Sequence, residues 1–226
     1  MGYHWAGFDE IVGVDIVPQP RYPFTFIQAD AMTFPLDGFD AIHASPPCQG
    51  YSIIRNLPWL RDKYYALLFN PIMERLQQHG ARGVIDYVMG AKLAAGFLCG
   101  TMFNLPFYRH RAFETNWFWM HPPHAKHQQA IKPSRYLGDR ARVPIFSGAE
   151  DSRGKESWPG RRGAAGHGLS IKKGGNVSAA FGIGHHAGTA LFREAMAIPW
   201  MRRDELTQAI PPVYTEWIGQ RLLETL

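Results

Sequence analysis

Short apolar runs, separated by polar or helix-patterned stretches, dominate the first 90 residues of the chain. They cover residues 10–15, 24–30, 39–44 and 83–88 and are rich in valine, isoleucine and phenylalanine. Buried strands of parallel sheets have this length and composition, and helical segments between such strands are typical of βαβ units. The pattern therefore predicts an α/β fold with an open, parallel sheet.

Helical periodicity appears at both ends of the chain and once in its first half. Gly7 is placed to end the first helix, and Pro71 is a candidate kink in the longest one. From about residue 117 to 188 the periodicity fades, which predicts a loop-rich lobe rather than more sheet. The predicted helices cover residues 1–6, 62–79, 191–196, 201–210 and 213–226.

Positive charge is concentrated in one part of the chain. The sequence has a formal net charge of +5, but residues 109–175 hold 13 lysine and arginine residues against five acidic ones. The remaining residues carry a net −3. A confined basic segment is typical of proteins that bind a polyanion, so we expect a nucleic-acid partner.

Cysteine content and hydropathy indicate the compartment. Cys48 and Cys99 are the two cysteines, which argues against a disulfide scaffold and fits a reducing cytoplasm. No apolar run approaches the roughly 20 residues that span a bilayer, and the N-terminus lacks a signal-peptide pattern. We expect a cytoplasmic protein with no membrane partner.

Candidate chemistry lies at the ends of the predicted strands. Cys48 follows the strand at 39–44 and two prolines, which restrict the backbone and would hold its thiol at the carboxyl edge of the sheet. A small buried cysteine beside an ordinary turn is the alternative. Asp15 and Asp30 also end strands, where an acidic residue commonly binds ribose, although either could simply cap a turn. Together the three residues predict one ligand crevice.

Asp15, Asp30, the Pro-Pro-Cys-Gln motif at 46–49 and Arg109-His-Arg111 occur in an order that resembles the DNA cytosine-5 methyltransferases, most of all their short phage-type members. The resemblance covers residues 1–115 and 193–226. It implies a Rossmann-like methyltransferase sheet, S-adenosyl-L-methionine as cofactor, double-stranded DNA as partner and a bacterial or phage-infected host cell. The implied organisation is a catalytic α/β domain (1–115), a basic target-recognition lobe (116–189) and C-terminal helices that complete the catalytic domain (190–226). We expect a monomer.

The resemblance also implies roles for individual residues. Cys48 corresponds to the nucleophile that adds to C6 of a flipped cytosine, and Asp86 to the acid near N3. Arg109 and Arg111 correspond to the pair that binds near O2. The cofactor-binding positions that it implies are Asp15, Ile16, Asp30, Ala31, Pro47, Gln208, Ala209 and Ile210.

Three departures from the family pattern keep other functions open. The family's first strand and glycine-rich loop are absent, so we expect that Met1 lies inside the following helix and that the chain is truncated. Gln208 stands where the family has Asn. Asp86 and Tyr87 stand where it has Glu and Asn, and Asp is one methylene shorter. The alternatives are a catalytically impaired DNA-binding remnant and a related cytosine-modifying enzyme with altered chemistry.

Histidines in the basic lobe are a weaker signal. His121, His124 and His127 recur at intervals of three, as zinc ligands can, but no cysteine pair accompanies them. We interpret them as solvated loop residues and Cys99 as a small buried residue, and we expect no metal.

Overall fold

The computed structural model describes residues 1–48, 50–51, 64–87, 96–105, 107–124, 131–133, 142–144, 177–178 and 189–226. The helices are α1 (Gly2–Ala6), α2 (Phe69–His79), α3 (Thr189–Met196), α4 (Arg203–Gln208) and α5 (Pro212–Leu223), with a 3-10 turn at Gly100–Phe103. The strands are β1 (Val12–Asp15), β2 (Thr25–Gln28), β3 (Ala41–Ala44), β4 (Arg82–Tyr87), β5 (Gly96–Leu98), β6 (Phe107–Tyr108), β7 (Arg111–Thr115), β8 (Ile131–Pro133), β9 (Arg142–Pro144) and β10 (Val177–Ser178).

A four-stranded sheet in the order β3-β4-β7-β5 forms the centre of the described fold. β3 and β4 run parallel, with His43 opposite Val84, whereas β7 is antiparallel to both β4 and β5. β1 and β2 form a separate parallel pair. The α/β class and the four predicted strands are therefore confirmed. The single parallel sheet is corrected to mixed, open sheets, because β7 runs antiparallel to both of its neighbours and β1–β2 pair apart from β3.

Helices cover both faces of the central sheet. On one face, Ile85 and Tyr87 of β4 pack in a buried cluster with Phe69 and Leu76 of α2. On the other face, β4, β5 and β7 pack under α5 in a cluster that excludes water. Its buried members are Val84, Leu98, Phe113, Trp117, Tyr214, Ile218 and Leu222.

α1 lies directly on the backbone of α5, because glycine at two positions allows the close approach. A Cβ at Gly219 would lie 2.8 Å from the Ala6 Cβ and 2.9 Å from Cδ1 of Tyr3, and one at Gly2 would overlap the Pro212 carbonyl. α1 ends at Gly7, whose φ of 112° suits glycine, as predicted. The tight contact fixes where Tyr3 enters the core.

Several element boundaries differ from the predictions. α2 begins at Phe69 rather than at residue 62, and residues 64–68 are not helical. Pro71 therefore lies in the first turn of α2, where its missing N–H breaks no helical hydrogen bond and gives no reason for a kink. β5 and β7 were not predicted as strands.

The predicted loop-rich lobe contains short strands within its described residues. β8 and β9 form an antiparallel pair, and β10 pairs with β6 in parallel. Most of residues 116–189 lie outside the described part of the chain, so the lobe as a unit stays a prediction. Among the described helices, none has the length and apolar character needed to cross a bilayer.

Replacing Gly219 by alanine should destabilise the fold, because the new methyl group meets Ala6 and Tyr3. We expect a loss of about 1–3 kcal/mol in the free energy of unfolding, measured in urea. Gln220→Ala, on the exposed side of the same helix, should change it by less than about 0.5 kcal/mol. An unchanged or more stable Gly219→Ala protein would contradict the observed packing of α1 on α5.

Candidate nucleophile site at the central sheet

Cys48 lies in the loop that follows β3, at the carboxyl end of that strand. Its side chain is half-buried and its thiol is free. Pro46 is buried, Pro47 is exposed, and the Cys48 carbonyl accepts a hydrogen bond from the Tyr51 N–H at 3.1 Å. The proline-restricted turn thus presents a thiol at the strand end, where the sequence predicted it.

Asp86 lies near the carboxyl end of the neighbouring strand, on the face under α5. Asp86 is only 1% exposed. Arg111, at the start of β7, donates from Nε to Oδ1 at 2.8 Å and from Nη2 to Oδ2. The antiparallel pairing of β4 and β7 brings the end of one strand beside the start of the other. A buried, bidentate ion pair of this kind is strongly orienting.

Arg111 also donates a hydrogen bond to the sulfur of Cys48. Burial by itself lowers the pKa of Arg111, but the Asp86 carboxylate and the Cys48 thiol raise it above its ordinary value. The guanidinium therefore stays charged and contacts a thiol and a carboxylate together. Three of the four predicted catalytic residues meet at this group.

Arg109, the fourth, is buried beside them and is 3% exposed. Burial, together with the charge of Arg111, lowers the pKa of Arg109 to about 9, so the side chain remains cationic at neutral pH. Its Nη1 lies 3.5 Å from the Leu206 carbonyl, and its own carbonyl accepts a hydrogen bond from the Tyr214 hydroxyl at 2.6 Å. Arg109 thereby links the site to α4 and α5.

Two residues that the sequence analysis did not single out adjoin the site. The Tyr3 hydroxyl lies 2.5 Å from Nδ1 of His43, and Nε2 of His43 lies 3.2 Å from Oγ of Ser45. Burial lowers the pKa of His43 to about 4, with Asp86 raising it and Arg111 lowering it. Burial, reinforced by Asp86, raises the pKa of Tyr3. The strand alternation that places His43 on the Asp86 face was the available signal.

Tyr87 does not face the site. Its ring packs edge-on against Phe69, with centroids 5.1 Å apart, on the opposite face of the sheet. It is 2% exposed. Successive residues of a strand point to opposite faces, so the Tyr87 side chain fills the core under α2 while Asp86 faces Arg111. Tyr87, which differs from the Asn of the family pattern, therefore packs in the core and does not contact the site.

Asp15 and Asp30 hold local turns at the ends of β1 and β2. Oδ1 of Asp15 accepts the Val17 N–H at 2.8 Å, and Oδ1 of Asp30 accepts the Met32 N–H at 2.8 Å. The Ala29 N–H bonds the Asp15 carbonyl at 3.1 Å, so the two turns share one edge. Both residues belong to the β1–β2 pair, apart from the sheet that carries Cys48. Their hydrogen bonds are those of turn caps, which was the alternative to ribose binding.

The surface beside these turns has the chemistry that an adenosine requires. Ile16 follows Asp15 directly and is 67% exposed, which offers an apolar face for a base. A carboxylate has about four acceptor positions, so Asp15 and Asp30 retain capacity for hydroxyl or amino donors beyond their local bonds. Ala31 is exposed, and its carbonyl accepts a hydrogen bond from Arg75 at 2.5 Å. These residues fit the adenosine part of S-adenosylmethionine.

The first turn of α4 lies beside the segment that joins β1 to β2. Nε of Arg21 donates to both carboxylate oxygens of Glu205, at 3.0 and 3.1 Å. Gln208 is exposed at the end of the helix, whereas Ala209 and Ile210 are half-buried and pack against the clusters under α3 and α5. α4 therefore contacts the β1–β2 segment through Glu205 and Arg109 through Leu206.

A shallow cavity of about 480 Å³ lies elsewhere on the described surface. It opens between α1 and the residues before β2, and none of the predicted site residues lines it. Its lining consists of Met1, His4, Arg21, Pro23, Phe24 and Trp200.

No protein-family model matches the chain, and comparison with the curated proteins and with the solved structures finds no significant match.

Removing the charge of Arg111 should leave the buried Asp86 carboxylate without its ion-pair partner. We expect Arg111→Gln to cost about 3–5 kcal/mol in the free energy of unfolding, and Asp86→Asn combined with Arg111→Gln to recover most of that loss. Arg21→Gln breaks the more exposed pair with Glu205 and should cost much less than Arg111→Gln. Equal costs for the two single variants would contradict the burial assigned to Asp86.

His43 should make stability sensitive to acid. Its pKa of about 4 in the folded chain lies below the ordinary 6.5, so between these values the unfolded chain binds a proton that the folded chain excludes. The stability associated with neutral His43 is fully present above pH 6.5 and is lost as the pH falls towards 4. On going from pH 7 to pH 5, His43→Gln should lose about 1–2 kcal/mol less stability than the wild type. Replacing the exposed His4 by Gln should not reduce the loss, and an identical loss in His43→Gln would overturn the assignment.

Proposed function

We propose that the chain is a DNA cytosine-5 methyltransferase that uses S-adenosyl-L-methionine and in which Cys48 adds to C6 of the target base. The observation that carries the proposal is the Arg111 guanidinium, which contacts the Cys48 sulfur and the Asp86 carboxylate at the carboxyl ends of adjacent strands. A thiol, a carboxylate and a cation held together are the groups that addition to cytosine requires.

The chemistry sets a role for each group. C6 of cytosine is a weak electrophile, so addition needs a thiolate as nucleophile. It also needs hydrogen-bond donors at O2 and N3, which stabilise the negative charge that moves into the ring. The Cys48 sulfur forms a bond to C6, and C5 gains nucleophilic character. After C5 is substituted, the C5 proton passes to solvent water, the S–C6 bond breaks to return the Cys48 thiolate, and aromaticity returns. Arg109 and Arg111 are the donors for O2.

Asp86 acts in this proposal first by holding Arg111. Both of its oxygens accept from that guanidinium, and the side chain is one methylene shorter than the glutamate of the family. Each carboxylate oxygen has a second lone pair, which can accept a hydrogen bond from the exocyclic amino group or, when protonated, donate to N3. We propose that it orients the base while Arg111 stays in place.

The cofactor would bind at the edge formed by β1, β2 and the end of α4. It supplies an electrophilic methyl group. Asp15 and Asp30 would accept hydrogen bonds from its ribose and adenine, and Ile16 would cover the adenine face. The other positions that the resemblance assigns to this site are Ala31, Pro47, Gln208, Ala209 and Ile210.

Double-stranded DNA is the proposed partner, with the target base flipped out of the helix, because C6 is inaccessible inside a base stack. The basic segment 109–175 would neutralise phosphates, so binding should weaken as salt rises. Arg161 and Arg162, candidates for phosphate contacts, lie outside the described residues. The proposed protein acts as a cytoplasmic monomer.

Exchange of the cytosine C5 hydrogen tests the addition step without the cofactor. In deuterated water, addition of Cys48 to C6 lets C5 take up a deuteron, and loss of the original proton followed by elimination returns labelled cytosine. We expect mass spectrometry of the DNA nucleosides to show deuterium in cytosine, and Cys48→Ser to reduce it at least about 100-fold.

Ser45→Ala, in the same loop, is the matched control and should retain exchange. Exchange that persists in Cys48→Ser would place the nucleophile elsewhere. DNA binding without any exchange in the wild type would favour the catalytically impaired remnant, and exchange without methyl transfer would favour the related enzyme with altered chemistry.

A further inference from the structure

A second cluster of chemistry-bearing side chains lies behind the Arg109–Arg111 segment. The sulfur of Cys99 and ring nitrogens of His110 and His124 all lie within 4.8 Å of one another. Cys99 is fully buried and the two histidines are half-buried. The sequence predicts a solvated His124 and a small buried Cys99, 25 positions apart; the burial of Cys99 is confirmed, and His124 is corrected to half-buried.

Strand pairing and one aromatic side chain explain this convergence. Leu98 of β5 lies opposite Arg111 of β7, so the residues just outside this pair, Cys99 and His110, meet at the end of the ladder. The chain after β7 then returns along the same surface. The Phe97 ring packs against both histidines, with centroids 5.7 Å from His110 and 5.3 Å from His124, and the two imidazoles are 5.3 Å apart.

The surroundings of the Cys99 sulfur provide an independent observation. Backbone N–H groups of Gly100, Thr101 and Arg109 donate to it, and the Thr101 hydroxyl lies 3.3 Å away. Several donors directed at one buried sulfur are typical of the outer hydrogen bonds that orient a metal-bound thiolate.

We propose that Cys99, His110 and His124 bind a zinc ion, with the fourth position open to water. One thiolate and two imidazoles select zinc over magnesium or calcium, which prefer oxygen ligands. Zinc–ligand bonds of about 2.0–2.3 Å set ligand atoms roughly 3.3–3.6 Å apart in a tetrahedron, so small side-chain rotations close the observed cluster.

The ion would fasten residues 116–124 to the end of the β5–β7 ladder. That attachment lies next to Arg109 and Arg111, so it would fix the point at which the basic segment leaves the central sheet. The proposal concerns this attachment and does not depend on the reaction at Cys48.

Metal content and cobalt spectroscopy of the full chain test the site. Metal-free protein dialysed against zinc should retain about one ion per chain. With cobalt in its place, the protein should show tetrahedral visible bands and a thiolate-to-cobalt charge-transfer band in the near ultraviolet. Cys99→Ser should lose the charge-transfer band, and both Cys99→Ser and His124→Gln should bind zinc at least tenfold more weakly.

Controls separate this site from other ligands and from misfolding. Cys48→Ser and His4→Gln should keep the cobalt spectrum of the wild type, and zinc should raise the Tm of the wild type but not that of His124→Gln. His124 is half-buried, so its variant keeps the assay informative if Cys99→Ser does not fold. No retained zinc in the wild type, or a charge-transfer band that follows Cys48 instead of Cys99, would overturn the proposal.

Discussion

The buried ion pair between Asp86 and Arg111 is the interaction on which the arrangement of the site depends. A carboxylate at 1% exposure is costly without a partner, and the bidentate geometry meets that cost only when β4 and β7 hold their register. The same guanidinium bonds the Cys48 sulfur, so the loop after β3 is oriented by it. The pairing of β4 with β7, the burial of the ion pair and the position of the Cys48 thiol therefore depend on one another.

Packing under α5, on the same face of the sheet, surrounds that pair. α1 contacts α5 at backbone distance through Gly2 and Gly219, which places Tyr3 against His43 beside the ion pair. Both partners stay neutral around pH 7, so they surround the pair without adding charge. The Tyr214 hydroxyl bonds the Arg109 carbonyl and anchors the segment between the thiol site and the Cys99 cluster.

The sequence predicted local features well and non-local ones poorly. Cys48 at a proline turn and the helix end at Gly7 follow from local backbone chemistry. β5 was not predicted because it is only three residues long. β7 was not predicted because its first residue, Arg111, was interpreted only as part of the Arg109-His-Arg111 motif. The convergence of Cys99 with His124 depends on strand pairing that no local pattern contains, whereas the opposite facing of Asp86 and Tyr87 follows from the alternation within the predicted strand. Asp15 and Asp30 close turns in a separate strand pair, a division that a continuous-sheet prediction could not show.

The most direct test of the central claim is transfer of labelled methyl groups from S-adenosyl-L-methionine to cytosine-containing duplex DNA, with the modified nucleoside identified by mass spectrometry. The account predicts 5-methylcytosine as the product with the wild-type chain, no product with Cys48→Ser, and strongly reduced product with Arg111→Gln. Label on another base, or equal 5-methylcytosine from the wild type and Cys48→Ser, would contradict it.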